Sequence, residues 1–258
     1  MINHIKYASS RYLFWLGIFA TAIGVIAIVP ISEKQALPIV IICFIVPFII
    51  PFIASGVKKD FVIRGTGKSK ISFRFGDLFD EECIVITTNR YYDINPTGEH
   101  IAPNSLLGKF VKEYCESPDL LECELKKELK RDKNNNIIPA KYGEYIRKEI
   151  KGKMVYFLAF TDRKKSDQPK DFYIKAVQGF FKSIVNENHG KTICIPLLGD
   201  NNNLSDSGFC NSETTLKNMF AMISYFGIIN QRSELKLRIV ALPEKRTELI
   251  NVLSNYCK

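Results

Sequence analysis

Two long runs without a single charged residue fill most of the first quarter of the chain. Residues 12–29 read YLFWLGIFATAIGVIAIV and residues 36–54 read ALPIVIICFIVPFIIPFIA. At about 1.5 Å of rise per residue, each run is about long enough to cross a hydrocarbon core of roughly 30 Å. Ser32-Glu33-Lys34-Gln35 between them leaves room only for a tight helical hairpin. Pro47 and Pro51 would break a soluble helix, but spanning helices tolerate proline. Tyr12 and Trp15 stand where an interfacial aromatic belt would be. The expectation is a transmembrane hairpin over 1–57, with spans of about 12–30 and 36–55. A signal peptide fits poorly, because no small-residue cleavage site is evident and a second apolar run follows at once. A buried helical pair in a soluble domain is the competing reading.

Flanking charge sets the expected orientation. Lys6 and Arg11 precede the first run, and Lys58, Lys59, Arg64, Lys68 and Lys70 follow the second against Asp60 alone. The positive-inside rule then places both termini, and the domain that follows, in the cytoplasm. Residues 58–70 read as a basic linker whose charge suits anionic lipid. The net charge of +9 admits nucleic acid, anionic lipid or a phosphorylated ligand. Nucleic acid is not expected, because the densest basic cluster lies beside the membrane and is not interleaved with aromatics. Seven cysteines without a CxxC pair, and three scattered histidines, argue against a disulfide framework or a metal site. No metal or cofactor is expected.

Residues 71–258 alternate strand and helix patterns. Strands are expected over 71–75, 83–88, 142–149, 153–160, 191–198 and 235–241. Helices are expected from Asn104 or Ser105, over 118–131, over 171–187 with Ile174 and Val177 facing inward, from about Ser212, and from Pro243. This is an α/β domain with a mixed six-stranded sheet flanked by helices.

Two polar loops, 89–108 and 199–208, each follow a buried strand and lead into a helix. Backbone N–H groups beside a helix N-terminus suit phosphate oxygens. Neither loop matches a phosphate-binding fingerprint, and 199–208 could be an ordinary surface loop. Asp77 follows Gly76 at a strand end, where its carboxylate either accepts from an exocyclic amine or caps its own turn. Asn89 either meets ribose hydroxyls or closes the strand-end turn. No nucleophile–base pair stands out.

Gly76-Asp77-Leu78, the strand Ile84-Val85-Ile86, Thr87-Thr88-Asn89, and ICIPLLG from Ile193 to Gly199 together resemble the macro domain family over about residues 70–258. With two apolar spans ahead, and runs such as RFGDLFD, ITTNRYYD, SLLGKFV and YFLAFT, the chain is similar to the membrane-anchored macro-domain effectors of type II Thoeris anti-phage defence. That resemblance implies a bacterial inner-membrane protein of several passes. A TIR-domain partner would supply an ADP-ribose derivative, such as histidine–ADP-ribose, as the signal. The macro domain would sense it, and homo-oligomers of the hairpins would disrupt the lipid bilayer and abort infection.

The same resemblance places Asp77 at the adenine amine with Leu78 beside it and Asn89 at the distal ribose, with Thr88 among the ligand-binding residues. Ser105 and Leu106 fall on the opposing wall. Gly199, Asp200, Asn201, Asn202, Asn203, Leu204 and Ser205 would wrap the diphosphate. ADP-ribosyl-hydrolysing macro domains usually carry a Gly-Gly-Gly-Val run after the Asn loop. Here that region is Tyr91 to Glu99, bulkier and without the triplet, which favours binding over catalysis. No catalytic residue is therefore assigned. A membrane-tethered ADP-ribosyl hydrolase or phosphatase is the alternative.

Overall fold

In the computed structural model the chain divides at Lys59/Asp60 into two units, and the second, Asp60–Lys258, carries the sheet. The structure describes residues 60–66, 69–95, 101–164, 167–169, 171–185, 190–199, 211–225 and 234–256. The two uncharged runs lie outside the described residues, so the expected hairpin and its orientation do too. Among the described residues, no helix is long and apolar enough to cross a membrane.

The sheet has seven strands rather than the expected six: β1 (Phe61–Thr66), β2 (Ser69–Phe75), β3 (Cys83–Asn89), β4 (Tyr145–Ile150), β5 (Lys153–Thr161), β6 (Thr192–Pro196) and β7 (Lys236–Ala241). Their order is β1-β2-β7-β6-β3-β5-β4. The additional strand is β1, in the stretch read from sequence as a linker. Phe61 and Ile63 alternate onto the core, and β1 pairs antiparallel with β2 from Phe61↔Phe73 to Thr66↔Ser69. Its basic neighbours masked a period of two. The five central strands run parallel, and β1 and β4 close the edges antiparallel.

The helices are α1 (Leu106–Tyr114), α2 (Pro118–Lys127), α3 (Phe172–Ile184), α4 (Ser212–Tyr225) and α5 (Arg246–Tyr256). Strand residues alternate between two buried faces, as a central parallel sheet requires. Ile71, Phe73, Val85, Tyr156, Leu158 and Ile239 pack toward α3, α4 and α5. Ile84, Ile86, Val155, Phe157, Cys194 and Val240 pack toward α1 and α2. The helix expected over 118–131 stops at Lys127, and Arg131 forms a bridge with Ile137 instead. On α3 the inward face is Phe172, Tyr173, Ala176, Val177, Phe180 and Phe181, whereas Ile174 is exposed. Tyr173 carries the packing that the periodicity assigned to Ile174.

Over the α1/α2 face of β2 and β7, a ring of four charges provides cover. Arg74 Nε meets Asp60 Oδ1 at 2.5 Å and its NH1 meets Glu81 Oε1 at 2.8 Å. Arg238 NH2 meets Asp60 Oδ2 at 2.7 Å and its NH1 meets Glu81 Oε2 at 2.9 Å. Each guanidinium thus bridges both carboxylates. Burial alone would raise the Asp60 pKa, but the bonds and charges of Arg74 and Arg238 outweigh it and lower it.

The turn before β4 rests directly on α3. Gly143 has φ 85°, and a Cβ there would strike the Ala176 carbonyl oxygen at 2.5 Å. A Cβ on Gly179 would overlap the Tyr142 carbonyl oxygen. Backbone on backbone cannot yield as a flexible side chain can. Gly179→Ala is expected to cost about 1–3 kcal/mol of stability, read as a lower urea midpoint with an unchanged m-value. Asp60→Asn, which opens the largely buried ring at one corner, is expected to cost about 1–2 kcal/mol by the same measurement.

Candidate functional site

The parallel strands β2, β7, β6 and β3 all end on one side of the sheet. A crevice outside the carboxyl ends of such strands is where open α/β sheets bind ligands. The cleft there has a volume of about 630 Å³, within the range of small-molecule sites. After β2 it is lined by Gly76, Asp77, Leu78 and Phe79, and β3 contributes Thr87. After β6 come Leu197 and Gly199, and after β7 Leu242 and Lys245. The first two turns of α1 close the far wall with Ser105, Leu106, Lys109, Lys112 and Glu113.

Asp77 caps the 3-10 turn Leu78–Asp80, and its Oδ1 accepts from the Phe79 N–H at 2.9 Å. The side chain is nevertheless exposed and lines the cleft. A carboxylate offers two oxygens and about four acceptor positions. Capping the turn and reading a ligand amine are therefore compatible, and the cap fixes the orientation of the carboxylate. Leu78 and Phe79 are buried behind it, and Phe79 packs on Phe110 and Tyr114 of α1.

Ser105 is the N-cap of α1. Its Oγ accepts from the Gly108 N–H at 3.0 Å and donates to the Ala102 carbonyl at 2.6 Å. The hydroxyl is thereby committed, and Leu106 begins the helix facing the cleft. A Cβ on Gly108 would stand 2.5 Å from the Ala102 carbonyl oxygen, so only glycine lets this turn sit so closely on segment 102–103.

Thr88 and Asn89 do not line the cleft; Thr87 does. Thr88 is buried, and its hydroxyl donates to the Leu158 carbonyl at 3.1 Å. Asn89 is buried as well and holds its own loop. Its Oδ1 accepts from the N–H groups of Tyr91 at 3.0 Å and Asp93 at 3.2 Å, and its Nδ2 donates to Asp93 Oδ2 at 2.9 Å. Gly199 lines the cleft with φ 93°. Asp200, Asn201, Asn202, Asn203, Leu204 and Ser205 lie outside the described residues.

The loop after β3 is pinned through Asp93. Arg163 donates to it twice, at 2.6 and 2.8 Å, and Lys126 of α2 reaches it at 2.7 Å. Burial alone would raise the Asp93 pKa, but hydrogen bonds from Arg163, Lys126 and Asn89 hold it well below the usual carboxylate range. Arg163 also lies 4.0 Å over the Tyr91 ring. Glu122 of α2 accepts from the N–H groups of Ile94 and Asn95, both at 2.8 Å. Between these anchors Tyr92 takes φ 53°, a conformation that non-glycine residues adopt only when their surroundings enforce it.

Sequence reasoning missed Leu197, Leu242, Lys109, Lys112 and Lys245 as lining residues. Leu242 and Lys245 could have been found, because they follow β7 just as Asp77 follows β2. Lys109 and Lys112 share the α1 face that begins at the cap, a spacing readable once Ser105 is placed. Among the described residues, no group of His, Cys, Asp and Glu is arranged to hold a metal ion.

No curated protein matches the chain. The macrodomain of Oceanobacillus iheyensis, solved with ADP, aligns with 77% of this chain and 96% of its own at 12% identity, with a TM-score of 0.51. A mutant of that macrodomain gives a TM-score of 0.52 over 77% and 97%, again at 12% identity. The Trypanosoma brucei macrodomain in complex with ADP-ribose matches over 73% and 72% at 12% identity, with a TM-score of 0.46. An alphavirus P23pro-zbd chain matches at 14% identity and a TM-score of 0.46, over 74% of this chain but only 24% of the viral one. At these identities the likeness concerns the fold. The family profile described as "Thoeris protein ThsA, Macro domain" matches residues 71–241, about two thirds of the sequence. The chain therefore belongs to the ThsA macro domain family.

Proposed function

We propose that the cleft is a sensing site for a ligand of the ADP-ribose class and that the chain is an anti-phage defence effector. In this reading a TIR-domain protein makes the signal, an ADP-ribose derivative of the histidine–ADP-ribose kind. Binding then favours an oligomer in which the two N-terminal apolar runs, as a membrane hairpin, disrupt the bilayer. A ligand can drive such a change only by preferring one assembly state over the other.

The observation that carries the reading is the cleft itself. It presents a fixed, exposed carboxylate after β2 and faces it with the first turn of a capped helix and two lysines. A carboxylate that accepts from an exocyclic amine suits adenine, and the ammonium groups of Lys109 and Lys112 suit a diphosphate. Family membership supports this, as does the ADP held by the Oceanobacillus macrodomain.

Sensing is favoured over hydrolysis by the state of Asp93. Both of its oxygens already accept charged or amide donors. A general base needs a pKa nearer the working pH and access to a water. Asp93 is held well below the usual carboxylate range and does not line the cleft, and it acts as the pin of the loop.

Titration calorimetry of the full-length chain with ADP-ribose and histidine–ADP-ribose tests the reading. Saturable binding of either is expected; heat of dilution alone with both would overturn it. Asp77→Asn keeps an acceptor for the turn but removes the charge that receives the adenine amine, so adenosine ligands should bind roughly tenfold more weakly. Asp93 ionises more readily folded than unfolded, so its contribution is present above about pH 4 and is lost as pH falls below that. The Asp93→Asn variant should accordingly melt lower at pH 7, with the difference from wild type shrinking toward pH 3.

A further inference from the structure

Beyond β7 the chain passes through Leu242 into the turn Pro243–Lys245 and then α5. Lys245 lines the cleft. Its ammonium donates to Ser212 Oγ at 2.8 Å and lies 3.8 Å from Glu248 Oε2. Glu248 in turn occupies the start of α4. Its Oε1 accepts from the Ser212 N–H at 2.8 Å and from the Glu213 N–H at 3.3 Å. The next two donors are also taken: the Thr214 N–H by Asn211 Oδ1 at 2.7 Å, and the Thr215 N–H by the Asn211 carbonyl at 3.1 Å.

A strand–loop–helix unit such as β6–α4 would ordinarily offer its helix N-terminus to a phosphate. Here those donors already hold a carboxylate of the protein, and a second anion would meet that carboxylate's charge. Among the described residues, Lys245 is the cation of this corner that lines the cleft.

We propose that Lys245 is a ligand-binding residue of the cleft, a cation that takes a phosphate oxygen of a nucleoside-diphosphate ligand. Glu248 is the internal anion that stands 3.8 Å from its ammonium before a ligand arrives. The proposal rests on the ADP-ribose reading above. Lys245 and Glu248 are each more than a third exposed, so their ion pair is weak and readily exchanged. A diphosphate carries more negative charge than one carboxylate, so the ammonium gains by turning toward it. Glu248 loses little when that happens, because its two backbone donors remain. Lys109 and Lys112 on the opposite wall supply two more cations, against the carboxylates of Asp77 and Glu113.

The test compares ADP-ribose with adenosine, which lacks the phosphates, by calorimetry on the full-length chain at low and high salt. Lys245→Ala should weaken ADP-ribose binding roughly tenfold, flatten its salt dependence and leave adenosine unchanged. Lys245→Arg should retain most of the affinity. Lys245→Gln keeps a donor for Ser212 without the charge, and it should match Lys245→Ala even if that variant folds poorly. ADP-ribose binding unchanged in both neutral variants overturns the Lys245 assignment and leaves the ADP-ribose reading standing. Equal weakening of adenosine and ADP-ribose also overturns the assignment, since the effect then falls on the cleft as a whole. A wild-type chain that binds neither ligand overturns the reading of the cleft and Lys245's role with it.

Discussion

The connection from β2 to β3 is the constraint on which the site depends. The two strands are parallel, and β7 and β6 lie between them. Residues 76–82 must therefore cross three strand spacings, about 14 Å. They must also descend from the level of Phe75 to that of Ile71, four residues or about 13 Å along the strands. The diagonal is about 20 Å, against an extended reach of roughly 25 Å for so few residues. No α-helix fits in that span. The chain uses one 3-10 turn, with Asp77 as its cap and Leu78 and Phe79 driven into the core. The nearly taut crossing fixes where Asp77 stands, and the ring of Arg74, Asp60, Arg238 and Glu81 ties down its far end. Lys153 adds a clamp by donating to the carbonyls of Phe79 at 2.7 Å and Glu81 at 3.0 Å.

The two walls of the cleft are held in different ways. The Asp77 wall is set by the crossing and by apolar burial. The α1 wall is set by the Ser105 cap and by the close seat of Gly108 on segment 102–103. The loop after β3 is fixed by charge, through Asp93 and its three donors. That division explains why carboxylates of the same type do different work. Asp77 keeps acceptor capacity toward the cleft, Asp93 is spent internally, and Glu248 occupies a helix end.

Much of the fold was legible in the sequence because the buried strands are nearly continuous apolar runs bounded by polar residues. Ile84 to Ile86 and Val155 to Phe160 are of this kind. β1 was not legible, because an edge strand buries only alternate residues and FVIRGT is set among lysines. Asp77 and Gly199 were readable as cleft residues from their places after strands, and the family resemblance added Leu78, Ser105 and Leu106. Asn89 was half readable. Its side chain closes its own turn, the alternative open from the start, and only three-dimensional packing shows that Asp93 and Tyr91 use up its bonding groups. The role of Lys245 depends on a helix N-terminus filled by Glu248, thirty-six residues away from Ser212, and no local pattern encodes that.

In the proposed function, one ADP-ribose-class ligand lies across the carboxyl ends of β2, β7, β6 and β3, read by Asp77 at its adenine end. The structure of the full-length chain with ADP-ribose bound tests it most directly. The adenine amine is expected within hydrogen-bonding distance of the Asp77 carboxylate, with the diphosphate between the first turn of α1 and the residues after β6 and β7. A ligand bound away from this cleft, or bound within it with the adenine remote from Asp77, would rule this arrangement out.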